Sequence, residues 1–384
     1  MGSAAQNTPM HLVAVVAGFV TIAVILWDSF ETIILPRRVT RPIRLTRLFY
    51  QMTWTPWAAI ARHMRNAKRR ETFLSFFGPL SLLMLFVVWA VGLMLAFAIL
   101  YWSQGSSISG PDGAGGFLTD LYLSATTFFT VGMADVMPHG WAARVFAIVE
   151  AGLGFGFLAI VITYMPVLYG AFSRREVNIS LMDTRAGSPP SAGELLRRNL
   201  EDRDIETLGE YLRELEPWAA ELMESHLSYP VLCFFRSQHS NQSWLASLAA
   251  VLDACAFLSA FAEGTLLRHA RRTFAISRHA IGDLAQALHT PPQPPDEDRL
   301  PAGELEKLLK LLAEAGAAAP DSIACGERLV RLRSTYEPYI NALSKQLLLP
   351  LPRWTASAAS LDNWQTSAWG GKPDRSTPQR FDHY

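Results

Sequence analysis

Thr126-Thr127-Phe128-Phe129-Thr130-Val131-Gly132-Met133-Ala134-Asp135 lies between two long apolar segments whose centres carry no charge, and its reading decides the fold. The segment that leads into it, Phe117 to Phe129, is apolar with Asp120 near its start. It is too short to cross a bilayer, which takes about 20 helical residues. A short helix that enters the membrane and turns back suits such a length. Its non-helical exit is tolerated at membrane depth only where it lines water or is buried in protein. A threonine, a small apolar residue and a glycine in succession can align backbone carbonyls, and carbonyls so aligned replace the water shell of a cation.

Working outward, three segments meet the length and hydropathy of a membrane span: about His11 to Leu35, Thr72 to Trp102, and about Ala143 to Phe172. The first ten residues carry no charge, so the first span lacks the basic leader of a signal peptide. Positive charge follows it: Arg37, Arg38, Arg41, Arg44, Arg47, Arg62, Arg65, Lys68, Arg69 and Arg70 crowd one stretch. Neither Lys nor Arg occurs from Glu71 to Gly140, and Arg174-Arg175 follow the third span. Both basic boundaries put the N-terminus outside, and the 36–72 loop and the C-terminus inside, in a multi-pass protein of the cell inner (plasma) membrane. The formal net charge of zero conceals this asymmetry.

Asp28 and Glu31 sit one turn apart near the inner end of the first span. A cation site is one reading; pairing with arginines such as Arg37 or Arg38 is the favoured one, because charges at helix ends escape most of the cost of burial. Within the basic loop, apolar and aromatic residues from Ile43 to Met64 recur at helical spacing among arginines. They predict helices in the inner headgroup layer, anchored by Trp54 and Trp57 and broken in two at Pro56. Ser103 to Gly116 reads as an exposed outer loop.

Past Arg175 the composition turns to Leu, Ala, Glu and Arg at helical periods, predicting an α-helical cytoplasmic domain. Ser191-Ala192-Gly193-Glu194 has the form of a capping box. Pro217 predicts a new helix start, Thr290 to Ala302 a linker, and 350–384 a flexible tail. Trp244 to Phe261 is apolar enough to span. Asp253 at its centre costs about 2.5–3.5 kcal/mol on insertion scales, which makes a buried helix of a soluble bundle the better reading.

An outer helix, a short re-entrant helix, Thr-Val-Gly and an inner helix, over residues 73–176, resemble the pore module of the tetrameric potassium-channel family. The matching positions are Thr130, Val131, Gly132 and Asp135, with Pro138 shortly after. The resemblance implies dehydrated cation sites, potassium foremost among monovalent cations, at Thr130, Val131 and Gly132. It also implies an outer-mouth carboxylate at Asp135 and four chains to close one pore. The family pattern is Thr-Val-Gly-Tyr-Gly-Asp. Here Met133 stands at the aromatic position, Ala134 at the second glycine and Phe129 before the threonine. Relaxed selectivity is the expectation. Gly152, Gly154, Gly156 and Pro166 mark the inner helix. A gating hinge and close helix packing both remain open there.

The expected architecture is therefore an all-α membrane protein: an N-terminal transmembrane helix (1–35), basic interfacial helices (36–72), a pore module (73–176), a helical cytoplasmic domain (177–349) and a tail. The expected function is a homotetrameric cation channel in contact with membrane lipid. The alternative is a non-conducting scaffold or sensor that binds a cytoplasmic partner through its helical half. Cys233, Cys255 and Cys325 are too widely spaced for a zinc site or a disulfide framework. His226 and His239 flank an aromatic and polar run that reads as a loop between helices. No HExxH, nucleophile-elbow or nucleotide-binding glycine pattern occurs, so neither an enzyme, a cofactor nor a nucleic-acid partner is expected.

Overall fold

The computed structural model describes residues 8–35, 44–104, 108–109, 116–133, 135–200, 205–239, 241–314, 322–355 and 362–363. The chain divides into two compact units, residues 1–170 and 171–384.

In the first unit, α1 (Thr8–Ser29) ends in a widened π-helical turn, Phe30–Ile34. It packs along α4 (Phe77–Ser103), and two glycines set the approach. A Cβ on Gly18 would lie 2.6 Å from Leu100 and 3.1 Å from the Ala96 carbonyl oxygen; one on Gly92 would lie 2.6 Å from Ile25. Small residues at such crossings let helices in lipid gain contact where no hydrophobic force drives them together. The outward faces are apolar, with Leu12, Val16, Phe19 and Val20 on α1 and Leu83, Val87 and Val91 on α4 exposed. In water such faces would be a liability; in a bilayer they meet lipid.

The basic stretch forms α2 (Leu45–His63) and α3 (Ala67–Ser75). Contrary to expectation, Pro56 lies inside α2. Aromatic packing holds the helix across the lost hydrogen bond: Trp57 stacks on Phe73 with centroids 4.4 Å apart, and Trp54 meets Phe77 edge-on at 4.7 Å. The chain breaks later, where the Asn66 side chain accepts from the Arg69 amide at 3.0 Å and caps α3. Then follow α5 (Phe117–Phe128) and α6 (Trp141–Ala186), with Ile108–Ser109 and Met137–Pro138 paired as a two-residue antiparallel ladder (β1, β2).

The second unit contains the end of α6, a short 3-10 helix (Pro230–Phe234) and seven further α-helices among the described residues: α7 (Ala192–Leu200), α8 (Ile205–Ser228), α9 (Trp244–Phe261), α10 (Gly264–Ala287), α11 (Ala302–Glu314), α12 (Ser322–Ser334) and α13 (Glu337–Leu347). Ser191 accepts from the Glu194 amide at 3.3 Å, the N-cap its sequence announces. Pro217 does not start a helix; it sits within α8. The apolar stripe Leu208, Leu212, Leu215, Trp218, Ala219 and Leu222 is buried on both sides of it, so packing outweighs a proline cost of about 3 kcal/mol. Residues 350–355 also depart from the loose tail expected: Trp354 is fully buried and its carbonyl accepts from the Gly193 amide at 2.6 Å. Residues 356–361 and 364–384 lie outside the described residues.

Four helical segments are long and apolar enough to cross a membrane: Met10–Ile34, Ala67–Ser103, Trp141–Ala186 and Trp244–Phe261. The fourth, α9, differs in kind. The apolar windows of the first and third are 17% and 11% buried, whereas that of α9 is 100% buried. Helices α7, α10, α12 and α13 pack around it. Asp253 on α9 pairs with Arg299 at 2.8 Å. This is the central helix of a bundle.

The buried Arg175 in this unit finds several partners. Arg175 donates to Glu176, to the Leu232 and Phe235 carbonyls, and toward His226 Nε2 at 3.2 Å. With the Leu222 carbonyl 2.8 Å from Nδ1, the imidazole is the neutral Nδ1–H tautomer. Burial, together with the Arg175 charge, holds its pKa well below the usual value. The three cysteines are buried. Burial pushes the Cys233 thiol up to about 12, so it is inert.

Candidate pore site

Helix α5 lays down the loop that follows it. The Phe129, Thr130 and Val131 amides donate to the carbonyls of Ala125 (3.1 Å), Thr127 (3.0 Å) and Thr126 (2.8 Å). The chain then leaves helical geometry with Thr130 at φ 53° and Gly132 at φ 69°. Val131 and Met133, between and after them, do not share this left-handed backbone. Alternation of the sign of φ along a run turns successive peptide groups the same way, so their carbonyls can point to one side. Thr130 adopts this backbone at a steric cost that Gly132 does not pay. Val131 and Met133 are exposed.

Beyond the loop, Asp135 is exposed, and Tyr122 of α5 reaches across to it. The phenol lies 3.1 Å from Asp135 Oδ2 and 3.0 Å from Met133 Sδ. Tyr122 was not legible as a site residue; its place on α5 gives no sign of a partner eleven and thirteen residues ahead. Ala134 lies outside the described residues. Pro138 sits in the short ladder opposite Ile108, and its carbonyl accepts from Arg144 at 3.2 Å.

Helix α6 supports α5 from behind. Phe128 is buried against Phe157, with centroids 5.8 Å apart. Gly154 passes so close that a Cβ on it would stand 1.9 Å from the Phe128 carbonyl oxygen. Gly152 and Gly156 have open space at the same position. The helix is continuous through all three glycines and Pro166. Glu150, one turn before Gly154, is fully buried and hydrogen-bonded to Tyr101 and Ser124. The sign in the sequence was an acid near one end of the third apolar span, since ionisable residues within a span mark function by default.

Asp28 and Glu31 belong elsewhere. Asp28 Oδ2 accepts from Trp89 Nε1 (3.0 Å), from Thr46 Oγ1 (2.6 Å) and from the Thr46 amide (3.2 Å). It thus caps the start of α2 from another helix, since Arg44 at the cap position makes no side-chain cap. Glu31 accepts from Trp27 at 2.7 Å and faces Arg44 at 3.5 Å. The expected partners Arg37 and Arg38 lie outside the described residues. Asp28→Ala is expected to cost about 2–4 kcal/mol by stranding these buried donors. Asp28→Asn should cost nearly as much, since its amide would meet donors with a donor. Thermal unfolding in detergent reads this, and a wild-type melting point for either variant would refute it.

Long apolar helices bracketing a short helix and a carbonyl-bearing loop define a membrane protein of the pore-loop channel class. Residues 82–168 match the family described as Ion channel. The chain is also similar to YdjJ of Bacillus subtilis (strain 168), described as an uncharacterized membrane protein: 23% identity over 240 residues, covering 61% of this chain and 68% of that one. No solved structure matches.

Proposed function

We propose that four copies of this chain surround one axis and conduct monovalent cations, potassium foremost, past the carbonyls of Thr130, Val131 and Gly132. The observation that supports this most is the alternating backbone at Thr130 and Gly132, directly after a short helix in an ion-channel module. A permeating cation exchanges water for peptide oxygens at such a place. Four Asp135 carboxylates would concentrate cations at the outer mouth, which Met133 and Ala134 in the same loop would help to shape. With methionine in place of the family's aromatic residue, selectivity is relaxed. Gly152, Gly156 and Pro166 are where α6 bends during gating. The membrane is the cell inner membrane, with the N-terminus outside and the C-terminal unit inside.

Liposomes containing the protein should pass potassium, and sodium to a lesser degree, while Gly132→Asp should reduce both fluxes to background. Its mass in detergent should be four chains. Failure of both the wild type and Met133→Tyr/Ala134→Gly to pass any monovalent cation overturns this reading. It would favour the scaffold alternative, in which a cytoplasmic partner engages the helical half.

A further inference from the structure

Three side chains from three helices meet in the interior of the first unit: Tyr101 on α4, Ser124 on α5 and Glu150 on α6, none more than 1% exposed. The Tyr101 hydroxyl donates to Glu150 Oε2 at 2.7 Å. Ser124 Oγ is 2.8 Å from the Met94 carbonyl oxygen and also hydrogen-bonded to Glu150 Oε1. Counting hydrogens decides the state of the cluster. A main-chain carbonyl only accepts, so the one hydroxyl hydrogen of Ser124 goes to Met94. The contact between Ser124 Oγ and Glu150 Oε1 then contains a hydrogen only if Glu150 supplies it. An ionised carboxylate would leave two acceptor oxygens facing each other without water, an arrangement that buried polar groups avoid. Three contacts therefore use three hydrogens, one each from Tyr101, Ser124 and Glu150.

We propose that Glu150 is a neutral carboxylic acid whose proton, on Oε1, ties the inner helix to the pore helix, making it a positioning residue for the Thr130–Met133 loop. Ser124 lies two residues before Thr126, whose carbonyl holds the Val131 amide, so the tie acts on the part of α5 from which the loop springs. A carboxyl is suited to this place because it donates through one oxygen to α5 and accepts through the other from α4. Leucine or alanine there would leave the Tyr101 hydroxyl without an acceptor and the Ser124 oxygen without its donor. Asp120, earlier on α5, is a second buried acid of the pore helix, and it is separated from Glu150 in the experiment by substitution.

The positioning role rests on the reading of 130–133 as the ion path; the protonation does not. Infrared difference spectra of the full-length protein test the latter. The wild type should show the C=O stretch of a hydrogen-bonded carboxylic acid that is missing in Glu150→Gln. In Tyr101→Phe the same band should move to higher frequency, because the carbonyl oxygen Oε2 loses its donor. Absence of the band, or a band unmoved in Tyr101→Phe, overturns the protonated cluster whether or not the protein conducts. For positioning, Glu150→Gln keeps one donor and one acceptor and should retain the potassium-to-sodium flux ratio. Glu150→Ala should change that ratio about tenfold, the scale of one lost buried hydrogen bond. Equal ratios in both variants overturn the positioning role. Should Glu150→Ala not fold, Ser124→Ala carries the same comparison.

Discussion

Gly154→Ala is expected to abolish the folded pore module. The added methyl would stand 1.9 Å from the Phe128 carbonyl oxygen, 2.8 Å from its carbon and 3.0 Å from its Cα. All three are backbone atoms at the end of α5, so no side-chain rotation relieves the clash. Helix α5 must move away from α6, and the hydrogen bonds that fix Phe129, Thr130 and Val131 move with it. Ordinary overpacking of a core costs about 1–3 kcal/mol; contact with rigid backbone belongs at or above the upper end. The controls are built into the same helix. A Cβ on Gly152 or Gly156 meets nothing within 4 Å. Alanine at either site should raise the stability of the single chain by up to about 1 kcal/mol through helix propensity. Thermal unfolding and flux separate the cases: Gly154→Ala should lose both, while the other two should melt at or slightly above the wild-type temperature. A Gly154→Ala protein that melts like the wild type would show that α5 and α6 do not pack this way. Conversely, if Gly152→Ala or Gly156→Ala weakens only the multi-chain assembly, the open space beside them is filled by a neighbouring copy.

This contrast among three glycines also marks where sequence reading ends. The spacing Gly152, Gly154, Gly156 showed a stripe of small residues, and nothing in it told which of them touches another element. The large features were legible because each depends on composition over a long window. Such were the apolar spans, the short segment before Thr130, the change to a helical pattern after Arg175, and the rejection of Trp244 to Phe261 as a span on the strength of Asp253. Local rules held where the partner is a few residues away, as at Ser191. They failed at Pro56 and Pro217, where packing of Trp57 and Trp218 outweighs a local penalty. The polar contacts of Asp28 and Glu150 were invisible for the same reason as those of Gly154. Trp89 is 61 residues from Asp28, and Tyr101 is 49 from Glu150. A sequence pattern shows that an acid is buried, not what meets it there.

Asp253→Ala is expected to destabilise the helical unit by about 3–5 kcal/mol, the cost of removing one member of a buried ion pair. Asp253 has no exposed side-chain surface, and its carboxylate accepts from both Arg299 terminal nitrogens at 2.8 Å and from the Tyr336 hydroxyl at 2.6 Å. Arg299 also reaches Glu337 at 3.1 Å, Arg333 bridges Glu337 and Asp298, and the Pro352 carbonyl lies 3.3 Å from Arg299. These contacts join α9, the 290–301 linker, α12, α13 and the segment after it, so the pair fixes elements far apart in the chain. Arginine is held all the more firmly charged here: burial alone would favour its neutral form, but Asp253 and Glu337 raise its affinity for the proton. Alanine at 253 leaves that charge buried with one carboxylate shared with Arg333, and leaves the Tyr336 hydroxyl without an acceptor. For a unit of this size the loss corresponds to roughly 6–20 °C in melting temperature. The decisive comparison is the triple variant Asp253→Leu/Arg299→Met/Tyr336→Phe. It removes the charges and the hydroxyl together, and apolar replacement of a complete buried pair is often neutral or better. It should therefore recover most of the lost stability in thermal unfolding of the full chain. If the triple variant is as unstable as Asp253→Ala, the stability comes from packing around α9 rather than from the matching of these charges. If Asp253→Ala melts within a degree or two of the wild type, Arg299 finds water, and the interior around α9 is wetter than the full burial of that helix allows.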